Sequence, residues 1–301
     1  MNLIQLLTGR TSNIKLILFI NGERGIKVLK SLINENLNIV GIVWHGNKVT
    51  LNDFEGIRNL KLIRDDWKPL KNFILEWQPD LGIVSGFSFI LPKEILDLTK
   101  FGFWNLHAGK IPEYRGGSPL NWQLINGEDE IGISILKMTE YIDDGLIMGQ
   151  STFKIEQNDT ILELHNKANI GFSKLICDLL INFNKTVIES KPQPESRASY
   201  WHQRSDADGL INPLTQTSEY IERMVRALAK PYPGAWFKIK GEKIRVFKCR
   251  LADKSYKGTP GKILKLRDQN PILITCTGAV ELIEVEKDNL SITFHQSDHI
   301  D

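Results

Sequence analysis

The chain has 301 residues, of which 42% are hydrophobic and 25% charged, so it can form two domains and is not disordered as a whole. Its 38 lysines and arginines against 36 aspartates and glutamates leave a formal net charge of +2, which argues against binding nucleic acid mainly through charge. The three cysteines, Cys177, Cys249 and Cys276, are widely spaced and odd in number, which disfavours a disulfide framework and is typical of a reducing compartment.

The sequence predicts no membrane-spanning or exported segment. The longest apolar runs, such as Leu16–Ile20, are far shorter than a bilayer span. The opening residues MNLIQLLTGR lack the basic region that precedes the apolar part of a signal peptide. We therefore expect a soluble, cytoplasmic protein with no membrane partner.

Short apolar runs alternate with helical patterns through residue 182. The pattern predicts strands at 15–20, 38–44, 60–63, 81–84, 103–106, 131–138 and 146–153, and helices at 24–34, 67–77, 118–125 and 159–182. This alternation is typical of an α/β fold with a doubly wound parallel sheet.

The composition changes at residues 185–199, where Pro192 and Pro194 lie among polar neighbours and predict a linker. Beyond a turn at 206–209, the pattern predicts a helix at 218–228 and strands at 236–239, 243–250, 261–266, 272–276, 279–285 and 290–294. Short strands separated by glycine turns are typical of a small β-barrel or sandwich. We expect a first domain over 1–184, a linker over 185–205 and a second domain over 206–301.

The residue types best suited to chemistry are Asn105, His107 and Asp143. Asn105 and His107 lie two apart at the end of an apolar strand, so their side chains project to the same face. A histidine is easily poised as a general base near neutral pH, a carboxylate can fix its tautomer, and an asparagine amide can stabilise an oxyanion. The same residues could also be a structural pair at a strand end, with Asp143 and Asp144 forming an ordinary turn or helix cap.

Two stretches surround these residues, NLHAGKIPEYRGGSPLNWQLINGE at 105–128 and ISILKMTEYIDDGLIMGQ at 133–150. Both resemble the core signature of the 10-formyltetrahydrofolate-dependent formyltransferases. PDLGIVSGFSFILPKEIL at 79–96 resembles that family's folate-binding strand and loop, and RALAKPYPGAWFKIKGEKIRV at 226–246 and PGKIL at 260–264 resemble its C-terminal domain. The resemblance implies a Rossmann-like catalytic domain followed by a small, OB-like β-barrel.

The resemblance also implies catalytic roles. Asn105 is expected to orient and stabilise the transferring formyl group, His107 to act as general base, and Asp143 to raise the basicity of His107. We choose Asp143 over Asp144 because it aligns with the aspartate of the family's D-x-G turn.

Two loops are expected to hold the co-substrate, 10-formyltetrahydrofolate. The resemblance implies, by position, that the first loop binds the pterin ring through backbone and apolar contacts and that the second lines its other side. The alternative for the first loop is an ordinary buried strand end. The residues are Phe89, Ile90 and Leu91 in the first loop, and Thr139, Glu140, Tyr141, Ile142 and Asp143 in the second.

The acceptor is expected to be the primary amine of a UDP- or dTDP-linked amino sugar, a precursor of a cell-surface glycan such as lipopolysaccharide O-antigen. Residues 113–122 and 199–212 resemble the sugar-nucleotide branch of the family. Methionyl-tRNA formyltransferases, the alternative, typically carry a basic insertion after the second strand, where residues 45–63 are short and of mixed charge. We therefore expect no nucleic-acid partner.

Five residues are candidates for contacts with this acceptor. Arg115 or Arg204 could pair with the diphosphate, and Tyr200 or Trp201 could stack on the base. The alternatives are ion pairs for the arginines, interdomain packing for the aromatic residues, and a turn requirement for Gly117, the fifth candidate.

Other site types are not supported. The histidines and cysteines lack the spacing of a zinc site, so we expect no metal. The first strand is followed by FINGERG, which lacks the glycines of a dinucleotide-binding loop. The sequence does not determine the oligomeric state, and a homodimer is possible.

Overall fold

The structure, a computed structural model, describes residues 14–45, 57–62, 66–267, 269–287, 290–291, 293–295 and 298–301. The chain divides into two compact units. Unit one comprises residues up to 116 together with 132–153 and 166–200, and unit two comprises 117–131, 154–165 and 201–301.

The elements follow one another as β1 (Leu16–Ile20), α1 (Gly22–Asn34), β2 (Ile39–Trp44), β3 (Asn59–Lys61), α2 (Trp67–Trp77), β4 (Leu81–Ser85), α3 (Lys93–Leu96), β5 (Phe103–His107), β6 (Arg115–Gly116), α4 (Pro119–Asn126), β7 (Glu130–Lys137), β8 (Ile147–Lys154), α5 (Ile161–Ile181), α6 (Phe183–Glu189), β9 (Tyr200–Trp201), α7 (Ser218–Leu228), β10 (Ala235–Ile239), β11 (Glu242–Leu251), β12 (Ile263–Leu264), β13 (Ile272–Ile274), β14 (Ala279–Lys287) and β15 (Leu290–Ser291). Single 3₁₀ turns lie at Glu195–Arg197 and Asp206–Gly209.

Within the described part of the chain, seven strands form the main sheet in the order β3-β2-β1-β4-β5-β7-β8. The strands from β3 to β5 are parallel, and β7 runs antiparallel to β5. Strands β1 and β4 are buried along their whole length, as expected for central strands covered on both faces. The strand order reverses between β1 and β4, and ligands of open α/β sheets bind at such a point, outside the carboxyl ends of the strands.

One apolar cluster supports the central strands. Phe19 of β1 and Phe103 of β5 meet edge to face, with ring centroids 5.4 Å apart. Leu91, from the loop after β4, is buried in the same cluster, and Phe89 and Met138 pack against it. The core of unit one therefore anchors the first loop predicted to bind folate, and Met138, the residue that precedes the second.

Unit two contains an antiparallel sheet in the order β10-β11-β14-β13-β12, with β15 paired to β14. The last residues of the chain bond to both edges of this sheet. The backbone N–H of Asp301 donates to Lys238 O in β10, and that of Ile300 donates to Gly261 O beside β12. The tail thus connects the two edges of the sheet by backbone hydrogen bonds.

The predicted fold class is confirmed: unit one has a Rossmann-like sheet with helices, and unit two has a separate antiparallel β-sheet. Two details differ. Residues Phe183–Glu189 form helix α6 in a segment where the sequence predicts the start of a linker. The strand expected at 261–266 is reduced to Ile263–Leu264.

Some predicted features lie wholly or partly outside the described residues. They are the end of the strand at 60–63, part of the strand at 290–294 and much of the segment at 45–63 that was compared with the tRNA-binding insertion.

Candidate functional site

Strand β5 carries the first two site residues. Asn105 and His107 lie on one face of the strand because side chains alternate along it, and the strand is fixed by pairing with β4 on one side and β7 on the other. His107 is buried, with 6% of its side chain exposed, whereas Asn105 is partly exposed. The predicted relation between these two residues is therefore seen in the structure.

Asp143 reaches the same place from the turn between β7 and β8. One carboxylate oxygen, Oδ1, accepts a hydrogen bond from Asn105 Nδ2 at 3.3 Å. The other, Oδ2, accepts one from the backbone N–H of Gly116 at 2.9 Å and lies 3.4 Å from Nδ1 of His107. The structure thus brings Asn105, His107 and Asp143 together, as the sequence analysis expected.

The surroundings of the His107 ring define which nitrogen can accept a proton. Nε2 lies 2.6 Å from the backbone carbonyl oxygen of Tyr114, and a carbonyl oxygen can only accept. Nε2 must therefore carry the hydrogen. In neutral His107 the free lone pair is then on Nδ1, the ring nitrogen that faces the Asp143 carboxylate.

Arg115 is buried in unit one, with 1% of its side chain exposed. Its guanidinium forms a two-pronged ion pair with Glu195, with nitrogen–oxygen distances of 2.7 and 3.1 Å, and donates to Tyr200 Oη at 2.8 Å. The hydrogen bond from Arg115 holds the pKa of the Glu195 carboxyl below its usual value. These contacts favour a structural role for Arg115 over the predicted diphosphate contact.

The sequence analysis did not identify Gln193. Its side chain reaches both Arg115 and the backbone around Asp143. The one sequence feature that marks this residue is its place between Pro192 and Pro194. That feature does not indicate its partners, Asp143 and Arg115, which lie 50 and 78 residues away in sequence.

The loop predicted to bind the pterin ring begins just after β4. Phe89 stacks on His45 with ring centroids 4.6 Å apart, and the backbone N–H of Ser88 donates to His45 Nε2 at 3.2 Å. Burial lowers the pKa of His45 from its usual value, which favours the neutral ring that can accept this hydrogen bond. Leu91 is buried in the core, whereas Ile90 is 76% exposed.

The second predicted folate loop also presents apolar side chains to solvent. The side chains of Tyr141 and Ile142 are exposed, and so is that of Glu140, which precedes them in the turn. Thr139 Oγ1 accepts from the Tyr141 backbone N–H and donates to the Asp144 carboxylate, so it holds the turn together.

Three predicted acceptor contacts lie in unit two. Gly117 is required by packing: a Cβ atom there would lie 2.4 Å from the Cα of Gln203. The Trp201 ring packs on Trp122, with centroids 5.1 Å apart. Arg204 lies over the same Trp122 ring, and its buried Nε has no hydrogen-bond partner within the described residues. Burial lowers the pKa of this guanidinium.

Metal ligands and thiols do not form a site in the described ranges. No group of three or more His, Cys, Asp or Glu side chains there could hold a metal ion. All three cysteines are unpaired, and burial raises the pKa of the Cys177 thiol to about 11, which disfavours a reactive thiolate. Of the helices described, none is both long and apolar enough to cross a bilayer.

Two family models match the chain. The model described as formyl transferase matches residues 64–177, which include the three clustered side chains, and the model described as formyl transferase, C-terminal domain, matches 204–293.

Known proteins agree with these matches. The bifunctional polymyxin resistance protein ArnA of Wigglesworthia glossinidia brevipalpis is 32% identical over 281 residues, which is 87% of this chain and 41% of that protein. This chain therefore spans about two fifths of the curated relative. A solved N-formyltransferase from Helicobacter canadensis, in complex with folinic acid and dTDP-3-aminofucose, has a TM-score of 0.67 at 16% identity, over 89% of this chain and 99% of that one.

A methionyl-tRNA formyltransferase from Clostridium thermocellum has the same fold, with a TM-score of 0.58 at 21% identity over 90% of this chain and 99% of that one. At these identities the solved structures establish the fold shared with this chain.

Proposed function

The chain belongs to the formyl transferase family, and from this premise we propose that it transfers a formyl group from 10-formyltetrahydrofolate to the primary amine of a nucleotide-linked amino sugar. The observation that carries this proposal is the convergence of Asn105, His107 and Asp143, with Nδ1 of His107 3.4 Å from the Asp143 carboxylate.

His107 is the general base in this proposal. Because the Tyr114 carbonyl holds the hydrogen on Nε2, the proton taken from the attacking amine goes to Nδ1. The imidazolium formed there is stabilised by Oδ2 of Asp143, whose position is fixed by the Gly116 backbone N–H. His107 then holds the proton that must be returned to the leaving nitrogen.

Asn105 stabilises the negative charge that develops on the formyl oxygen. One hydrogen of its Nδ2 is directed to Asp143, and the second is free to donate to this oxygen. A single preorganised donor at comparable sites contributes about 2.7–4 kcal/mol to the transition state.

The folate loops fit 10-formyltetrahydrofolate, which when bound would supply the activated formyl group. Ile90 and Ile142 are exposed apolar side chains, while Leu91 and Met138 beside them are anchored in one core cluster. Such an arrangement binds a flat ring without reorganising the core. We propose that Phe89, Ile90, Leu91 and residues 139–143 hold the pterin.

A nucleotide diphosphate sugar is favoured over tRNA as the acceptor. The net charge of +2 gives no general attraction for a polyanion. Of the two candidate arginines, Arg204 has a buried Nε that is unpaired among the described residues, so it is the better candidate for a phosphate contact than Arg115. We propose that Trp201 and Tyr200 contribute aromatic surface to the same acceptor, which would be a precursor of a cell-surface glycan.

The experiment is a product assay. The protein is incubated with 10-formyltetrahydrofolate and, separately, with UDP- and dTDP-linked amino sugars and with methionyl-tRNA, and the products are analysed by mass spectrometry. A sugar nucleotide that gains one formyl group supports the proposal. Formylation of methionyl-tRNA alone would replace it with the tRNA alternative, and no formylated product would reject both.

A further inference from the structure

Asp143 has an unusual backbone conformation. Its φ is 51°, in the left-handed region that residues other than glycine adopt at an energetic cost. Asparagine and aspartate tolerate this region better than most residues, but the carboxylate must also stay aligned with Asn105 and His107. Contacts from outside the turn can therefore keep both the backbone and the carboxylate in place.

Gln193 provides these contacts. Its Nε2 donates one hydrogen to the backbone carbonyl oxygen of Asp143, at 2.7 Å, and the other to that of Gly145, at 2.8 Å. One side-chain amide thus holds both ends of the turn, and both of its donor hydrogens are used.

Arg115 holds Gln193 in this orientation. Its Nε donates to Oε1 of Gln193 at 2.9 Å, and only the oxygen of the amide can accept this bond, so the Nε2 hydrogens must face the turn. The guanidinium is in turn fixed by its two-pronged pair with Glu195. The next residue, Gly116, donates its N–H to the Asp143 carboxylate.

We propose that Gln193 is a positioning residue for the transfer reaction, which aligns Asp143 with His107 and is itself aligned by Arg115. This inference rests on the proposed function. It assigns the guanidinium of Arg115 to the support of the site rather than to the acceptor. Gln193 acts through the position of the Asp143 turn and touches no reacting atom.

The test compares Gln193→Ala and Gln193→Glu with Gln150→Ala. Gln193→Glu keeps the shape of the side chain but removes both donors. Gln150 is a matched control, because its Nε2 also donates twice in unit one, to Ile111 O and Ser134 Oγ. We expect both Gln193 variants to lower kcat about 10–100-fold, with KM for the folate changed less than about twofold, because small misplacements of catalytic groups have effects of this size.

A double variant separates positioning from general stability. In an Asp143→Asn background, Gln193→Ala is expected to lower kcat less than about twofold further, since the group that it positions is already lost. Equal effects of Gln193→Ala in both backgrounds, or an unchanged kcat in the single variants, would overturn the inference. Thermal denaturation checks that the variants are folded.

Amide hydrogen exchange of Gly116 tests the same inference without activity. Its N–H is bonded to Asp143, so we expect faster exchange in Gln193→Ala than in wild type and in Gln150→Ala. If the wild-type protein transfers no formyl group, the proposed function is rejected. The Gly116 exchange rates would then still show whether Gln193 holds the Asp143 turn in place. Equal exchange in all three proteins would overturn the inference.

Discussion

Nδ2 of Asn105 donates a hydrogen bond to Oδ1 of Asp143 at 3.3 Å, so one carboxylate fixes the amide while its other oxygen faces the histidine. This relationship orients Asn105 before any substrate binds. The amide is therefore preorganised, and an oxyanion stabilised by it requires little rearrangement.

Asn105→Ala is expected to lower kcat by about 10²–10³-fold, the usual effect of removing one oxyanion donor. The KM for the folate should change little, because the donor acts mainly when charge develops on the formyl oxygen. Steady-state kinetics with Asn182→Ala as a control, an exposed asparagine bonded to Asp178 O, measures this difference. A loss confined to KM would argue against the assigned role.

Folate binding is expected to weaken at acid pH through His45. Only the neutral ring accepts the Ser88 N–H, and the pKa of His45 is lowered from its usual 6.5 by burial. Because the pKa of His45 is lowered in the folded protein, the hydrogen bond from Ser88 is fully present above pH 6.5. It is lost as the pH falls through the lower, folded-state pKa.

Titration of tetrahydrofolate binding against pH checks this expectation. His45→Phe keeps a ring against Phe89 but has no acceptor and no titrating group, so its binding should be weaker at neutral pH and should lose this pH dependence. An identical pH profile in wild type and variant would refute the role of His45.

Gly145→Ala is expected to displace the turn that carries Asp143. A Cβ atom at this position would lie 1.7 Å from the backbone oxygen of Lys137, which cannot move without shifting the strand pair. We expect kcat to fall more than about tenfold.

Gly149→Ala is the matched control for this substitution, because the nearest atoms to its Cβ would be the flexible side-chain ends of Leu179, at 2.9 Å, and Leu175, at 3.4 Å. It should lower the melting temperature slightly and leave kcat close to that of wild type. Equal kcat values in the two variants would show that the turn tolerates the shift.

The salt dependence of the KM for the acceptor is expected to distinguish a sugar nucleotide from tRNA. A protein that grips tRNA through 6–10 phosphates loses about 10³–10⁵-fold in affinity between about 50 and 200 mM salt. A sugar nucleotide has two phosphates, so its KM should rise less than about tenfold over this range. Steady-state kinetics at several salt concentrations measures this, and a steep rise would favour the tRNA alternative.

The sequence predicts the sheet well because its strands are short, apolar and bounded by clear turns, as at Leu81–Ser85. It also predicts the common face of Asn105 and His107, since that follows from strand periodicity alone. The choice of Asp143 depended on the family resemblance, because no local rule links a turn residue to a strand so far away in sequence.

Gln193 and the role of Arg115 could not be predicted in this way. Side-chain hydrogen bonds over 50 and 78 residues leave no periodic trace, and two prolines in a polar segment indicate a linker rather than a support for a site. Helix α6 was missed for a related reason: the proline-rich, polar residues that follow it made the whole segment resemble a linker.

The central claim is tested most directly by formyl transfer in His107→Ala and Asp143→Ala, measured by product mass alongside tetrahydrofolate binding. General base catalysis contributes about 10²–10⁴-fold, so turnover in both variants should fall by at least about 10²-fold while tetrahydrofolate still binds. Turnover equal to wild type in both variants would contradict the account.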